Sequence, residues 1–81
     1  MELKDVCTLV GQCFELNGNA ITENTVSGDL ADWDSLGHFA LLEFIESKFP
    51  GVIDSNPGLV QASSIKELYD FGLKNIQYPV I

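Results

Sequence analysis

The sequence has no arginine and only four lysines, against twelve aspartate and glutamate residues, so its net charge is −8 over 81 residues. Arginine is the side chain best suited to reading phosphate through paired hydrogen bonds, and an acidic chain repels phosphate backbones and anionic lipid surfaces. The composition therefore disfavours nucleic-acid binding and membrane insertion. It favours protein partners with basic docking sites.

Cysteine and histidine are also scarce. Cys7 and Cys13 lie six residues apart in one predicted helix, and six steps of about 100° place them on different sides of it. The single histidine, His38, has no CxxC pair or second histidine to join it in a metal site. We therefore expect buried free thiols, no disulfide and no metal.

Long apolar runs are missing as well. No stretch approaches the roughly 20 residues of a membrane-spanning helix, and the first residues lack the basic and apolar regions of a signal peptide. A chain of this length can form one modest core and leaves little room for the deep cleft of a large enzyme. We expect one soluble domain over residues 1–81, cytoplasmic and monomeric, with a frayed tail at 76–81.

Apolar spacing predicts an all-α fold with three main helices and one short helix. In chain order, the predicted elements are a helix over residues 2–16 capped at Asn17-Gly18, a second over 35–49 closed by Pro50-Gly51, a single turn at 59–61, and a last helix opened by the capping box from Ser64 to Glu67. Val52-Ile53 is the one run with strand character. A four-helix bundle is the expected architecture.

A long irregular segment, residues 19–34, joins the first two helices. Ile21, Val26, Leu30 and Trp33 are spaced along its polar ground, and we expect them to anchor it. Long loops that are pinned in this way are often functional. The loop ends at the second predicted helix.

The second predicted helix has two apolar faces. The core face is expected to hold Leu41, Leu42, Ile45 and Phe49, with His38 inside the arc and Phe39 at its edge. A second line is formed by Leu36, Ala40 and Phe44, with Glu43 and Ser47 beside it. This second line is either a docking surface or is covered by the long loop.

Asp34, Ser35 and Leu36 stand at the head of this helix. A hydroxyl there lies beside free backbone N–H groups and the positive end of the helix dipole, which suit a phosphate ester. Asp and Ser are also common helix caps, and these three residues alone do not separate the two roles.

The wider context resembles the acyl carrier protein family. The matching features are an acidic chain, a first amphipathic helix, the long loop, Asp-Ser-Leu at the start of the second helix, Phe49-Pro50-Gly51 at its end, and Ser64-Ile65 opening the last helix. The string from Trp33 to His38 is similar to carriers of specialised biosynthetic clusters. The resemblance covers nearly the whole chain.

The resemblance implies a non-enzymatic carrier with 4′-phosphopantetheine on Ser35. A phosphopantetheinyl transferase would attach the arm, a ligase or synthase would load an acyl or aminoacyl group as a thioester, and downstream enzymes would receive it. Asp34 would support the serine. Partner contacts would come from Leu36, Ala40, Glu43, Phe44 and Glu46.

Two positions depart from the family pattern. Gly37 and Ala40 stand where carriers of central fatty-acid synthesis have acids. Partner recognition is therefore expected to be more apolar and less electrostatic, which indicates a dedicated pathway. Gly37 also weakens the first turn by up to about 1 kcal/mol relative to Ala, unless it clears space beside the arm.

Three other hypotheses remain open. Asp32, Asp34, Gly37 and Glu43 fit part of an EF-hand calcium loop, although Leu36 spoils its fifth position. Ser35 with His38 suggests a serine hydrolase, without a nucleophile elbow. A non-carrying acidic helical adaptor shares every bulk feature with a carrier.

His38 itself is either a satisfied core ring or lies at the mouth of an acyl pocket.

Overall fold

The computed structural model describes residues 1–16 and 20–77, and within them the chain is mostly helical. The elements are α1 (Leu3–Cys13), α2 (Ser35–Lys48), α3 (Val52–Ser55), a 3₁₀ turn at Pro57–Gln61, α4 (Ile65–Phe71) and a 3₁₀ turn at Leu73–Asn75. No strand occurs in these residues, and one isolated β-bridge joins Val26 to Ser64. The all-α class is confirmed, and Val52-Ile53 opens a helix instead of a strand.

The helices share one hydrophobic core. α1 packs against α2 and α4, while α2 also contacts α3 and the Pro57–Gln61 turn. The largest fully buried side chains are Trp33, Leu41, Ile45, Leu59, Ile65, Leu68, Leu73, Val6 and Val10. Each contributes about 1.5–3 kcal/mol through burial, so this core is the main stabilising element of the described chain.

The end of α1 differs from the expected one. The helix stops at Cys13, where the Leu16 N–H donates to the Gly11 carbonyl at 2.9 Å and Glu15 takes a positive φ of 56°. This is a Schellman ending, which closes a helix with one left-handed residue. The prediction of a helix to residue 16 is therefore wrong, and the predicted cap at Asn17-Gly18 lies outside the described residues.

The segment before α2 is anchored, but not by all the expected residues. Ile21 and Trp33 are buried and Leu30 is half-buried against the core. The Val26 side chain is exposed, so the prediction that it anchors the loop by burial is wrong, although its backbone lies in the bridge to Ser64. Thr25 is buried instead, and its hydroxyl oxygen accepts the Thr22 N–H at 2.9 Å, which pairs the polar group that burial would otherwise penalise.

Two backbone hydrogen bonds hold this loop against the start of α4. The Ser27 N–H donates to the Ser63 carbonyl at 2.7 Å, and the Ile65 N–H donates to the Thr25 carbonyl at 3.0 Å. The loop is therefore tied to the body of the fold midway between the two helices that it connects.

The cap of α4 is half of the predicted capping box. The Ser64 hydroxyl oxygen accepts the Glu67 N–H at 3.0 Å, as expected. The Glu67 carboxylate, however, accepts from the N–H and hydroxyl of Ser63, both at 2.8 Å, and these hydrogen bonds lower the pKa of Glu67. The reciprocal contact is displaced by one residue.

The first residue of the chain contacts the end of the described part. Ile76 is half-buried against the core, and its carbonyl accepts a hydrogen bond from the Met1 ammonium group. Residue 76 therefore belongs to the packed fold and not to a frayed tail, while the predicted fraying of 78–81 lies outside the described residues. Across residues 1–16 and 20–77, no helix combines the length and apolar character needed to cross a membrane.

Candidate functional site

Ser35 is the first residue of α2 and is exposed. The preceding Asp34 caps the helix, because its Oδ1 accepts the Gly37 N–H at 2.8 Å while its carbonyl accepts the His38 N–H at 2.8 Å. The expected supporting role of Asp34 therefore has a geometric basis. It fixes the first turn, and with it the direction in which the Ser35 side chain leaves the helix.

Gly37 is required by a close backbone approach. A Cβ built on Gly37 would lie 1.7 Å from the carbonyl oxygen of Asp32, far inside any allowed contact. The glycine therefore clears space, as one expectation had it, but for the loop backbone that lies directly on the helix. The sequence alone predicts that Gly37 lowers helix stability, but it does not show that the Asp32 carbonyl oxygen fills the space beside it.

Trp33 fastens the end of the loop. Its indole is fully buried, and its carbonyl accepts the Ser27 hydroxyl at 2.8 Å. Its Nε1–H donates to Nδ1 of His38 at 3.1 Å, with the two rings 6.4 Å apart between centroids and inclined by 19°. The prediction that Trp33 anchors the loop is confirmed.

His38 is a satisfied, half-buried ring, as one of its two interpretations expected. Nδ1 accepts from Trp33, so the proton lies on Nε2, which is 3.0 Å from the Leu59 carbonyl oxygen. Both ring nitrogens are therefore engaged, and neither is available to take a proton from Ser35. This geometry gives no support to the serine hydrolase hypothesis.

A groove of about 310 Å³ runs beside Ser35. It is lined by Ser27, Asp34, Ser35, His38, Phe39, Val60 and Ala62. α2 forms one wall, and the Pro57–Gln61 turn with the residue that follows it forms the other. His38 therefore also lines the groove, while its predicted place at the mouth of an acyl pocket stays a prediction.

Exposed apolar side chains surround this groove. Leu36 is 79% exposed, Phe39 is 64% exposed and Val60 is 47% exposed. The placement of Phe39 at the edge of the core is therefore wrong, since its ring faces solvent on the same side as Ser35. Phe39 and Val60 were missed as candidate contacts. The helical wheel gave a hint for Phe39, but no sequence signal could bring Val60 across from another element.

The rest of the predicted docking line is divided. Ala40 and Glu43 are exposed, so the loop does not cover them. Phe44 is half-buried against the core, and the Lys48 ammonium lies 5.0 Å from its ring centroid. The line from Leu36 through Ala40 to Phe44 is therefore open to partners at its beginning and occupied by the fold at its end.

Glu46 serves the fold as well. Its carboxylate oxygens accept the N–H of Gly51 at 2.5 Å and the N–H of Ile53 at 3.3 Å. These are orphan donors around the start of α3, which has no side-chain cap of its own. A basic group of a partner that contacts Glu46, as predicted, would have to compete with these two backbone N–H groups.

The calcium hypothesis requires an open loop where the structure has a helix. α2 begins at Ser35, so positions 4 to 12 of the supposed loop, including Gly37 and Glu43, are helical and cannot wrap a cation. In the described part of the chain, no group of three or more Asp, Glu, His or Cys side chains could hold a metal ion. The geometry gives the EF-hand hypothesis no support.

Cys7 and Cys13 are free thiols, but they are half-buried and not fully buried as expected. Burial raises the pKa of both thiols, and the negative charge of Glu23 adds to the rise at Cys7. Both side chains are therefore weaker nucleophiles than an ordinary cysteine at neutral pH.

No model of a known protein family, no curated protein and no solved structure matches this chain. Function must therefore be inferred from the residues around Ser35 themselves.

Proposed function

We propose that this chain is an acyl carrier protein that holds acyl or aminoacyl groups as thioesters on a 4′-phosphopantetheine arm attached to Ser35. One observation carries the proposal: an exposed serine begins a capped 14-residue helix and borders a groove with apolar walls. The acidic composition and the resemblance of the motif from Trp33 to His38 support it.

The start of α2 suits the phosphate of such an arm. The first turn of a helix presents backbone N–H groups and the positive end of the dipole to an anion. The Asp34 carboxylate is already held by the Gly37 N–H, which keeps it in place as a cap. With the Gly37 N–H taken by Asp34, the remaining first-turn N–H groups would face a phosphodiester on the Ser35 oxygen.

The groove suits the rest of the arm or its cargo. Its volume of about 310 Å³ lies at the lower end of the roughly 300–1,000 Å³ range of small-molecule sites. Phe39, Val60 and Ala62 supply apolar walls, while Ser27 adds a hydroxyl. When bound, the arm supplies a terminal thiol that holds the cargo as a thioester.

The attachment reaction uses Ser35 as the nucleophile. In the transferase, the Ser35 oxygen forms a bond to phosphorus of coenzyme A, the pyrophosphate P–O bond breaks, and adenosine bisphosphate leaves while the hydroxyl proton is lost. Magnesium held by the transferase neutralises the developing charge. Neither Cys7 nor Cys13 takes part, which agrees with their half-buried positions.

Partners of this carrier would dock on the apolar face around Ser35. Leu36 and Phe39 offer exposed apolar contacts, and Glu43 an exposed charge for basic residues. The proposed partners are the transferase, a loading ligase or synthase, and downstream enzymes of a dedicated biosynthetic pathway. The carrier is proposed to act as a cytoplasmic monomer.

Intact-protein mass tests the proposal. The chain is incubated with coenzyme A, magnesium and a broad-specificity phosphopantetheinyl transferase, beside Ser35→Ala and the matched control Ser47→Ala, which changes an exposed serine at the other end of α2. We expect one phosphopantetheine on the parent chain and on the control, and none on Ser35→Ala.

A non-carrying adaptor is the second candidate, because the exposure of Leu36 and Phe39 would serve docking whether or not Ser35 is modified. Absence of any mass gain in a folded chain, with the source organism's transferase as well, would reject the carrier function and favour the adaptor.

A further inference from the structure

Two hydrogen bonds through His38, which lines the groove, connect the end of the loop to the Pro57–Gln61 turn on the opposite wall. They begin at the buried indole of Trp33, pass through both ring nitrogens of His38, and end at the carbonyl of Leu59 in the Pro57–Gln61 turn. We call this pair of contacts the imidazole bridge. It joins the end of the loop, the first turn of α2 and the opposite wall through one side chain.

The bridge requires one of the two neutral tautomers of His38. Because Trp33 Nε1–H is a donor with no acceptor capacity, His38 must present a bare Nδ1 to it and carry its proton on Nε2. The other neutral tautomer would set two donors against each other at Trp33 and two acceptors against each other at Leu59. The bridge therefore predicts a specific tautomer.

Few charged groups face the ring. Among the groove-lining residues Asp34 is the one acid, and its carboxylate is held by the Gly37 N–H. Residues 57 to 64 on the opposite wall contain no titratable side chain. Glu67 on α4 is engaged by Ser63. The contacts with Trp33 and Leu59 therefore select the tautomer of the ring.

We propose that His38 is a positioning residue for Ser35: its neutral Nε2–H tautomer holds Trp33 and Leu59 at a fixed separation and so fixes the serine and the groove beside it. Trp33 is two residues before Ser35, and Asp34 between them is the cap, so movement of Trp33 is passed directly to the nucleophile. The role in modification rests on the proposed function, whereas the bridge itself does not.

The first test is spectroscopic and needs no modification. Nitrogen-15 NMR of the His38 ring should show a protonated Nε2 and a bare Nδ1, and the Trp33 indole proton should show a hydrogen-bonded shift. His38→Phe should speed hydrogen exchange of the backbone amides at positions 37 and 38 by about tenfold or more, because the Asp34 cap loosens. A proton on Nδ1, or unchanged exchange, would overturn the bridge.

Two further variants test the two hydrogen bonds of the bridge separately. His38→Asn can offer an acceptor near Nδ1 for Trp33, whereas His38→Gln can offer a donor near Nε2 for Leu59. We expect each to retain part of the exchange protection that His38→Phe loses. Equal loss in all three variants would contradict a two-contact bridge and point to the ring's volume alone.

The second test concerns the positioning of Ser35. In steady-state modification with coenzyme A and the transferase, His38→Phe should lower kcat on the order of 10–100-fold, with KM within about twofold, because the exposed docking contacts remain while the nucleophile is misplaced. Val10→Ala, a core defect on α1, controls for lost stability and should keep kcat.

The outcomes separate the two claims. A parent chain that is never modified overturns the proposed function, while the amide exchange at the start of α2 still decides whether His38 positions that turn. A modified parent chain with normal kcat in His38→Phe overturns the positioning role of His38 and leaves the carrier function standing.

Discussion

At the N-terminal end of α2, Leu36 and Phe39 remain exposed beside Ser35, whereas at the C-terminal end Phe44 packs against the core beneath Lys48. Two glutamates of α2 also differ, because Glu43 is exposed whereas Glu46 accepts backbone hydrogen bonds at the start of α3.

The difference shows that one helix can hold a free end and an occupied end with similar residue types. What decides is the neighbouring element. At the free end the loop backbone approaches α2 at Gly37 and leaves Leu36 and Phe39 exposed. The occupied end is followed by α3, and its Phe44 packs against the core. The exposed apolar side chains of α2 therefore lie at the free end.

The largest expected effect breaks the free end itself. Gly37→Ala drives a Cβ to within 1.7 Å of the Asp32 carbonyl oxygen, so we expect it to lower the free energy of unfolding by about 2 kcal/mol or more. Gly11→Ala is the matched control. Its Cβ meets Leu16 and Ile21 at 3.6 and 3.7 Å, so helix propensity should raise stability by about 0.5–1 kcal/mol. Urea unfolding measures both, and equal signs would contradict the close approach.

The paired apolar truncations come next. Phe44→Ala should lower the free energy of unfolding by about 1–2 kcal/mol because half-buried apolar surface is lost, whereas Leu36→Ala should change it by less than about 0.5 kcal/mol. In transferase kinetics the order should reverse, with Leu36→Ala raising KM the more. A larger stability loss from Leu36→Ala would remove the distinction between the two ends.

The two glutamates sharpen the comparison further. Glu46→Gln weakens a charged acceptor for the Gly51 and Ile53 N–H groups and should lower the free energy of unfolding by about 1 kcal/mol. Glu43→Gln, an exposed change on the same helix, should leave stability unaltered and slow association with a basic partner at low salt. Thermal unfolding and stopped-flow association measure the two effects, and identical results for both variants would refute the division.

The smallest expected effect concerns Lys48. Lys48→Gln removes the cation over the Phe44 ring and a favourable charge in the last turn of α2, so we expect a loss of about 0.5 kcal/mol. Lys66→Gln, near the start of α4, is the control and should cause no loss. In a Phe44→Leu background the Lys48 effect should shrink, and persistence at full size would show that the ring is not its partner.

Sequence reasoning located the main features of the fold because they depend on local patterns. Helical periodicity predicted α1 and α2, and Asp34 as a cap indicated where α2 begins. The spacing of isolated apolar residues in the loop predicted that Trp33 is buried. Errors arose where an ending is set by backbone geometry, as at Glu15, or where a second element decides exposure, as at Phe39.

The site could be predicted only in part from the sequence, for the same reason. Ser35 and Asp34 are adjacent in sequence, so their relation at a helix start could be predicted. The opposite wall comes from Val60 and Ala62, about 25 residues away, and no local pattern pairs them with α2. The contact of His38 with Leu59 likewise required tertiary structure.

The most direct test of the central claim is to locate the added group within the modified parent chain. Ser35 and Ser47 are exposed serines at opposite ends of α2, and Ser27 borders the same groove as Ser35. Fragmentation mass spectrometry that preserves the phosphodiester should place all of the phosphopantetheine on Ser35. Its presence on Ser27 or Ser47, or its absence from a folded chain, would contradict the account.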